Sequence, residues 1–480
     1  MRTWRIKERV IWLFIIAAIV LAAPIIVRVI QGNPFVAGGE TVYNTYYNLG
    51  IAKQIQEKGI LERDALQNRD YSFNLFHYLL AGLGFINLDV LSMILPFIFG
   101  MLFFWLAYKI LLRFDFSPQR VFFILLFVIF TPAFILLFTT LTKFALVLLL
   151  NLLGFYFLKS ESLPVQGLAM LFFALVPLVD FFAFILTFLM LLFFVLVYKK
   201  KVHLVISSFT LSLIFMWVAY LFLHYRITYF DFITNSFSLG QFLTDFGAVI
   251  GYSLFMLLLA LIGFVFASRK NKNIAASIIF TVLFAFSFFN ASLRVYMSFV
   301  FVLGAAYAFD YLLSKEWSLT SVKRVTVLLI LCTLIFSAVS FLNRQFEEEP
   351  NKELVDALHS LRVSPFIQGG TVLTHYSKGF YVEYFSELPV VLDGFSYQYA
   401  GYHEELNMTT RVFETRDLVF AEEYFQKRGI KYILITDDMR RGLVWRRPHE
   451  GMLFLLENSG KFINIYSQKG VDIYLYLGRG

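Results

Sequence analysis

The sequence predicts a polytopic α-helical membrane protein of about eleven transmembrane helices, N-terminus inside, carrying a C-terminal extracytoplasmic α/β domain. Three observations predict it. The 480 residues are 59% hydrophobic and 15% charged, with 59 Phe, far from the average of a soluble globular chain. Apolar runs of spanning length recur up to residue 342, each near the ~17 to 25 residues that a membrane helix needs. Beyond Leu342 the composition changes: the last 138 residues hold 16 Lys+Arg and 19 Asp+Glu, enough polar chain for one compact domain.

Each element follows in order. Val10 to Val27 is uninterrupted and lacks the cleavage site of a signal peptide, so it reads as a retained first helix. Further spans are expected at 91–112, 121–138, 143–158, 164–179, 181–198, 204–223, 248–267, 274–290, 291–313 and 325–342. Only "TTLT" separates two of them, and Pro177 with Asp180 another two. The transmembrane domain is thus placed at 1–342, with a large first external loop at 31–90 and an external domain at 343–480.

Charge fixes the orientation. With the N-terminus inside, 17 of the 25 basic residues before residue 343 fall on cytoplasmic loops, as the positive-inside rule requires. The formal net charge of +8 is therefore topology spread over short loops. No basic patch is left for a nucleic acid.

The external domain alternates strand-like runs ("GTVLT", "PVVLD", "IKYILIT", "FINIY", "VDIYLY") with helical stretches, the pattern of an α/β layer. "SQKG" between the last two runs reads as a hairpin turn. The lone cysteine, Cys332, lies in the last span, so this domain folds without a disulfide.

Nearly every ionisable group sits at a helix end, with Asp180 and Arg294 near the outer surface and Asp310 near the inner. A transporter would gather such groups at the bilayer midplane. The polar mass lies instead in the loops 31–90 and 224–247 and in the C-terminal domain, so chemistry is expected at the outer face.

The first loop opens with "GGETVYNTYYNLGIAKQIQEKG". Ile51, Ile55 and Ile60 mark one face of an amphipathic interfacial helix, while Glu40, Asn44, Tyr47 and Asn48 would offer a hydroxylated ligand a carboxylate, two amides and a phenol. The plainer reading is equally open: the tyrosines as an aromatic belt, and Glu40 as a helix-start carboxylate favoured by the macrodipole.

This loop, followed by "YSFNLFHYLLAGLGFINLDVLSMILPFIFGMLFFWLAYKIL", resembles the opening of GT-C glycosyltransferases, above all the catalytic subunit of oligosaccharyltransferase. The resemblance implies a sugar donor linked to polyprenyl phosphate or diphosphate, an acceptor that is a glycan, lipid or protein, and a multi-pass protein of the plasma membrane. By spacing, the family's loop-one Asp falls on Asn44, and Glu40 is the nearest acid, so Glu40 is taken as the catalytic base. Arg294 resembles the arginine that contacts the donor phosphate, and Lys143 would either assist it or snorkel to the outer interface; Asn44, Tyr47 and Asn48 would bind sugar or acceptor. The Trp-Trp-Asp-Tyr-Gly acceptor motif lands on His375, Tyr376, Ser377, Lys378 and Gly379, which keep only the glycine. His375 and Tyr376 are carried as acceptor-binding candidates, and a sequon acceptor is not supported. A divalent cation, Mg or Mn, would have Glu40, Asp180 and Asp245 as ligands. The acid that the family places in residues 139–143 is missing, which weighs against that metal. A catalytically silent relative, binding a lipid-linked glycan or scaffolding a partner enzyme, stays open beside the enzyme.

Overall fold

A computed structural model of the protein describes residues 2–39, 44–198, 202–225, 239–271, 274–363, 369–398 and 401–478. In chain order, α1 (Arg2–Ile30) and α2 (Thr45–Lys58) precede two-residue antiparallel strands, β1 (Arg63–Asp64) and β2 (Arg69–Asp70). Next come α3 (Leu75–Gly82), α4 (Leu88–Arg113), α5 (Pro118–Ile129), α6 (Pro132–Thr139), α7 (Lys143–Leu158) and α8 (Leu163–Leu175). They are followed by α9 (Phe181–Tyr198), α10 (Val202–Leu223), the short α11 (Leu239–Phe242), α12 (Leu254–Asn271), α13 (Ile274–Ser287), α14 (Ala291–Ser314) and α15 (Thr320–Glu347). Contacts divide the chain into two units. One holds Met1–Arg28, Ser72–Leu79 and Asp89–Glu347, the other Val29–Tyr71, Leu80–Leu88 and Glu348–Gly480.

The first unit is apolar and helical. Among the described residues five helices are long and apolar enough to cross a membrane, or six if the bent pair α5 and α6 is one span; Lys143–Leu158, Leu163–Leu178, Phe181–Leu192 and Leu254–Ser268 are shorter apolar helices. The chain is a multi-pass membrane protein. The 62° bend between α5 and α6 has a local cause: Pro132 cannot donate a helix hydrogen bond. Thr131 Oγ1 donates instead to Phe127 O at 2.7 Å. Thr139 and Thr140 bond back to Ile135 O and Leu136 O in the same way, and Thr142 caps α7 by accepting from Phe144 N at 3.2 Å. "TTLT" is thus a capped turn. At the crossing of α12 and α14 the backbones nearly touch, since a Cβ on Gly263 would lie 1.9 Å from Gly304 O, the close approach that small residues permit between membrane helices.

The second unit continues through α16 (Lys352–Val363), β3 (Thr371–Leu373), the one-turn α17 (Gly379–Tyr381), α18 (Tyr402–Glu414) and α19 (Leu418–Arg428). It closes with β4 (Ile430–Ile435), α20 (Met452–Asn458), β5 (Phe462–Gln468) and β6 (Val471–Tyr476). The sheet order is β3-β4-β6-β5, with β3 parallel to β4 and the other pairs antiparallel. Lys469 and Gly470, both at positive φ (44° and 84°), make the two-residue turn between β5 and β6, the conformation that a primed hairpin turn needs. The core gathers Trp445, Phe425, Ile433, Met439 and Phe413, and Trp445 Nε1 donates to Phe413 O at 2.8 Å, so the buried indole leaves no polar atom unmet.

Candidate active site

In the second unit, Val36 to Gly39 runs alongside the start of α2. Tyr46 Oη donates to Val36 O (2.9 Å), Thr45 Oγ1 to Ala37 O (3.1 Å), Thr45 N to Gly38 O (2.7 Å) and Asn44 Nδ2 to Gly39 O (3.1 Å). Gly38 N donates to Glu349 O at 2.7 Å. A Cβ on Gly38 would run into the Tyr381 phenol, so a side chain there would have to displace that ring. Glu40, the candidate base, lies outside the described residues, as do Thr41 to Tyr43.

Asn44 is the N-cap of α2: its Oδ1 accepts from Tyr46 N (2.9 Å) and Tyr47 N (3.2 Å), two of the donors a helix start leaves open. Asn48 Nδ2 donates to Asn44 O at 3.0 Å. Both amides are buried and build the loop. Tyr47 is placed otherwise. Its ring packs 4.4 Å from Phe395 and 5.3 Å from Phe380, with the Arg69 guanidinium 5.4 Å from its centroid. Burial pushes the Tyr47 phenol above its ordinary pKa, against the pull of Arg69; it stays protonated.

Arg69 is the centre of a cluster that the sequence analysis missed. Its Nη2 lies 2.9 Å from Asp64 Oδ2 and its Nη1 2.8 Å from Asp393 Oδ2, and Nε donates to Asp64 Oδ2 at 3.0 Å. Asp393 Oδ1 accepts from Phe395 N (3.0 Å) and Ser396 Oγ (2.8 Å). A third carboxyl, Glu383, accepts from Gln67 Nε2. Burial, then Asp393 and Asp64, hold Glu383 well above the usual carboxylate pKa, with Arg69 opposing. Arg69 is one cation among three carboxyls, which favours the neutral form of Glu383. The charge density of "ERDALQNRD" in so apolar a chain is the only sequence signal of this cluster.

The stretch aligned with the acceptor motif is half built into the core. Lys378 Nζ is buried between Glu349 Oε1 (2.5 Å) and Asp438 Oδ2 (2.6 Å). Gly379 is kept for space, since a Cβ there would lie 2.6 Å from Asp393 Cα. His375 and Tyr376 are half-buried, their rings 4.3 Å apart. His375 Nδ1 meets Ser377 Oγ at 2.8 Å. Burial, then Lys378, lowers the imidazole pKa to about 4, so it is neutral at pH 7 and able to exchange hydrogen bonds with a hydroxyl.

In the first unit, Asn290 caps α14 by accepting from Leu293 N at 2.8 Å, and Arg294 lies buried one turn later. Phe144 and Tyr296 are 6.1 Å apart, which brings the beginnings of α7 and α14 together, with Lys143 on one and Arg294 on the other. Lys143 Nζ forms an ion pair with Asp180 Oδ2 at 2.7 Å, and Asp180 Oδ1 caps α9 through Ala183 N at 2.7 Å. Asp245 Oδ2 accepts from Leu254 N at 2.5 Å.

Neither a protein-family model nor a curated protein matches the sequence. Solved structures do. The oligosaccharyltransferase of Archaeoglobus fulgidus matches with a TM-score of 0.59 and 13% identity, over 90% of this chain and 70% of that one. ArnT from Cupriavidus metallidurans, solved with undecaprenyl phosphate, matches at 0.55 and 12%, over 97% of each chain. The mycobacterial arabinofuranosyltransferase AftD matches at 0.55 and 13%, over 98% of this chain and 40% of its own length. All three are GT-C glycosyltransferases. This chain has the GT-C fold.

A GT-C fold raises the question of a metal, because one structure of the Archaeoglobus fulgidus enzyme is described as a complex with zinc and sulfate. Among the described residues no three His, Cys, Asp or Glu side chains gather to hold an ion. Asp180 is balanced by Lys143 and committed to a helix cap, and Asp245 is bonded to a backbone N–H. Those two carboxylates do not fit a cation site, so no chemical step is assigned to a metal.

Proposed function

We propose that the protein is a glycosyltransferase that moves a sugar from a polyprenyl-phosphate or polyprenyl-diphosphate donor to an acceptor hydroxyl at the outer membrane face. The supporting observation is the GT-C architecture, matched over 97% of both chains with ArnT in complex with undecaprenyl phosphate. The positive-inside bias supports an N-in orientation in the plasma membrane, with the C-terminal α/β domain outside.

In the reaction the acceptor oxygen bonds to the anomeric carbon as the bond from that carbon to the phosphate oxygen breaks. The acceptor proton passes to Glu40 and the electron pair leaves with the lipid phosphate. General-base help of this kind contributes about 10² to 10⁴-fold. Arg294 binds the departing phosphate, the role its resemblance to the family arginine implies; a guanidinium offers a phosphate two parallel N–H donors. Lys143 is held by Asp180 and acts there only if that pair opens. His375 and Tyr376 offer a neutral imidazole and a phenol to the acceptor. The acceptor is a glycan or lipid hydroxyl in preference to a sequon peptide, because buried Lys378 stands where that motif has its tyrosine and Ser377 where it has its aspartate.

The same degraded motif favours a second reading, a catalytically silent relative that binds a lipid-linked glycan. One experiment separates the two: transfer from radiolabelled polyprenyl-phosphate sugars to a lipid and glycan pool, in nanodiscs, by wild type, Glu40→Gln and Arg294→Lys. The enzyme reading expects product from wild type, at least 100-fold less from Glu40→Gln, and weakened donor use by Arg294→Lys, since an ammonium loses the bidentate geometry. Labelled lipid bound and competed away with no product from any donor would establish the silent relative.

A further inference from the structure

Within the second unit, Tyr46, Tyr47, Gln54, Asp64, Glu383 and Tyr384 wall a cavity of about 140 Å³. That is well below the ~300 to 1,000 Å³ of a site for a drug-sized ligand, leaving room for one small ring. Its charged rim comes in opposite signs. Lys53 is paired with Glu387, which Arg362 also holds at 2.8 Å, and Glu57 adjoins Lys58. The mouth therefore offers no field that would select an anion or a cation.

The inner wall is more telling. Asp64 has no acceptor capacity to spare: Oδ1 takes Gln54 Nε2 (3.0 Å) and Leu66 N (3.2 Å), and Oδ2 takes Arg69. Glu383 differs: Gln67 engages Oε1, and among the described residues no hydrogen bond reaches Oε2, which is left for a ligand. Tyr384, 5.4 Å from Tyr46 and next to Glu383 in the chain, lines the same cavity. Aromatic faces beside a planar hydrogen-bonding group suit the apolar face and hydroxyls of a sugar.

We propose that this cavity is a subsite for one neutral sugar residue, stacked on the tyrosine wall with a hydroxyl bonded to Glu383 Oε2. It rests on the reading of the protein as a glycan-handling GT-C member, and adds a site distinct from the roles given to Glu40 and Arg294. Glu383 faces Asp64, Asp393, Arg69, Gln67 and Tyr47. Burial and the two aspartates raise its pKa, and in its protonated form it serves as a donor to the sugar oxygen. Sugar binding should then weaken as pH rises through that elevated pKa.

The test is saturation-transfer NMR on the full chain in nanodiscs, with a panel of methyl hexopyranosides and methyl pentofuranosides and no lipid donor. Wild type is expected to bind at least one glycoside and to lose affinity toward alkaline pH. Glu383→Ala should weaken binding at least 10-fold, whereas Glu383→Gln, isosteric and still a donor, should bind with a flat pH profile. No glycoside bound by wild type, unchanged binding in a folded Glu383→Ala, or methylammonium bound more tightly as pH rises would each overturn the subsite. Transfer is assayed in parallel. Intact transfer without glycoside binding removes only the subsite, while binding without transfer removes only the enzyme reading.

Discussion

Arg69 sits among carboxyl groups contributed by segments more than 300 residues apart, and the consequence is an asymmetric sensitivity to mutation. Asp393 is fully buried; Asp393→Ala leaves Arg69 with Asp64 alone and strips Phe395 N and Ser396 Oγ of their acceptor, and a hydrogen bond to a charged group contributes about 1.5 to 3 kcal/mol. A large fall in melting temperature, read by tryptophan fluorescence in detergent, is expected. An unchanged melting temperature would mean that the pair contributes nothing. Gly379→Ala should be harmful for a different reason: its Cβ has no room beside Asp393, and overpacking of this kind costs about 1 to 3 kcal/mol. Neither residue is legible as a partner of the other in sequence. The resemblance singled out Gly379 alone, and charge pairing between Arg69 and Asp393, so far apart in the chain, leaves no local pattern.

Lys378 adds a pH dependence at the same scale. Burial raises the Asp438 pKa, but the charge and hydrogen bond of Lys378, together with bonds from Thr436 and Met439 N, outweigh it and leave the carboxyl below its ordinary value. A depressed carboxyl contributes stability that is full above the unfolded pKa of ~3.9 and lost as pH falls through the folded one. Asp438→Asn should therefore flatten the acid limb of a stability-against-pH curve. An acid limb identical to that of wild type would exclude this role. Glu349, raised chiefly by burial, works in the opposite direction and loses its contribution as pH rises.

Among elements, "PVVLD" forms only an isolated bridge, Val390 to Val372, instead of a strand, while caps and turns agree with the sequence. The helix over 143–158, the break at "TTLT" and the hairpin at "SQKG" all stand as read, because caps and turns are written in adjacent residues. The start of α2 shows the limit of such reading. Spacing put Asn44 and Asn48 on a ligand-binding face; backbone geometry makes Asn44 the cap and Asn48 its support, since an Asn preceding "TYY" competes for the open N–H groups before any ligand does. Asn44→Ala should thus cost about 1 kcal/mol. Asn44→Asp, which still accepts from the helix start and gains from the macrodipole, should retain most of the stability and transfer activity. If Asn44→Asp abolished transfer in a protein of wild-type melting temperature, Asn44 would be a ligand after all.

At the scale of the whole molecule, the composition change at Leu342 suggests an independent C-terminal domain, whereas contacts gather Val29–Tyr71 and Leu80–Leu88 with Glu348–Gly480. Hydropathy sees where polar chain begins but is blind to which polar stretches fold together. Here the association is physical: Tyr46 lies 5.5 Å from Tyr381 and 5.0 Å from Phe385, and Arg69 neutralises Asp393. A fragment spanning 343–480 would expose that aromatic face and bury Asp393 without its cation, both costly. Expressed alone, it is expected to show weak near-UV dichroism and rapid proteolysis. Adding residues 29–71 through a flexible linker should restore a cooperative thermal transition, at least in part. A sharp transition from 343–480 alone would show that the loop is an accessory to a domain already complete, and the cavity walled by α2 would then be a property of the loop's docking rather than of the fold.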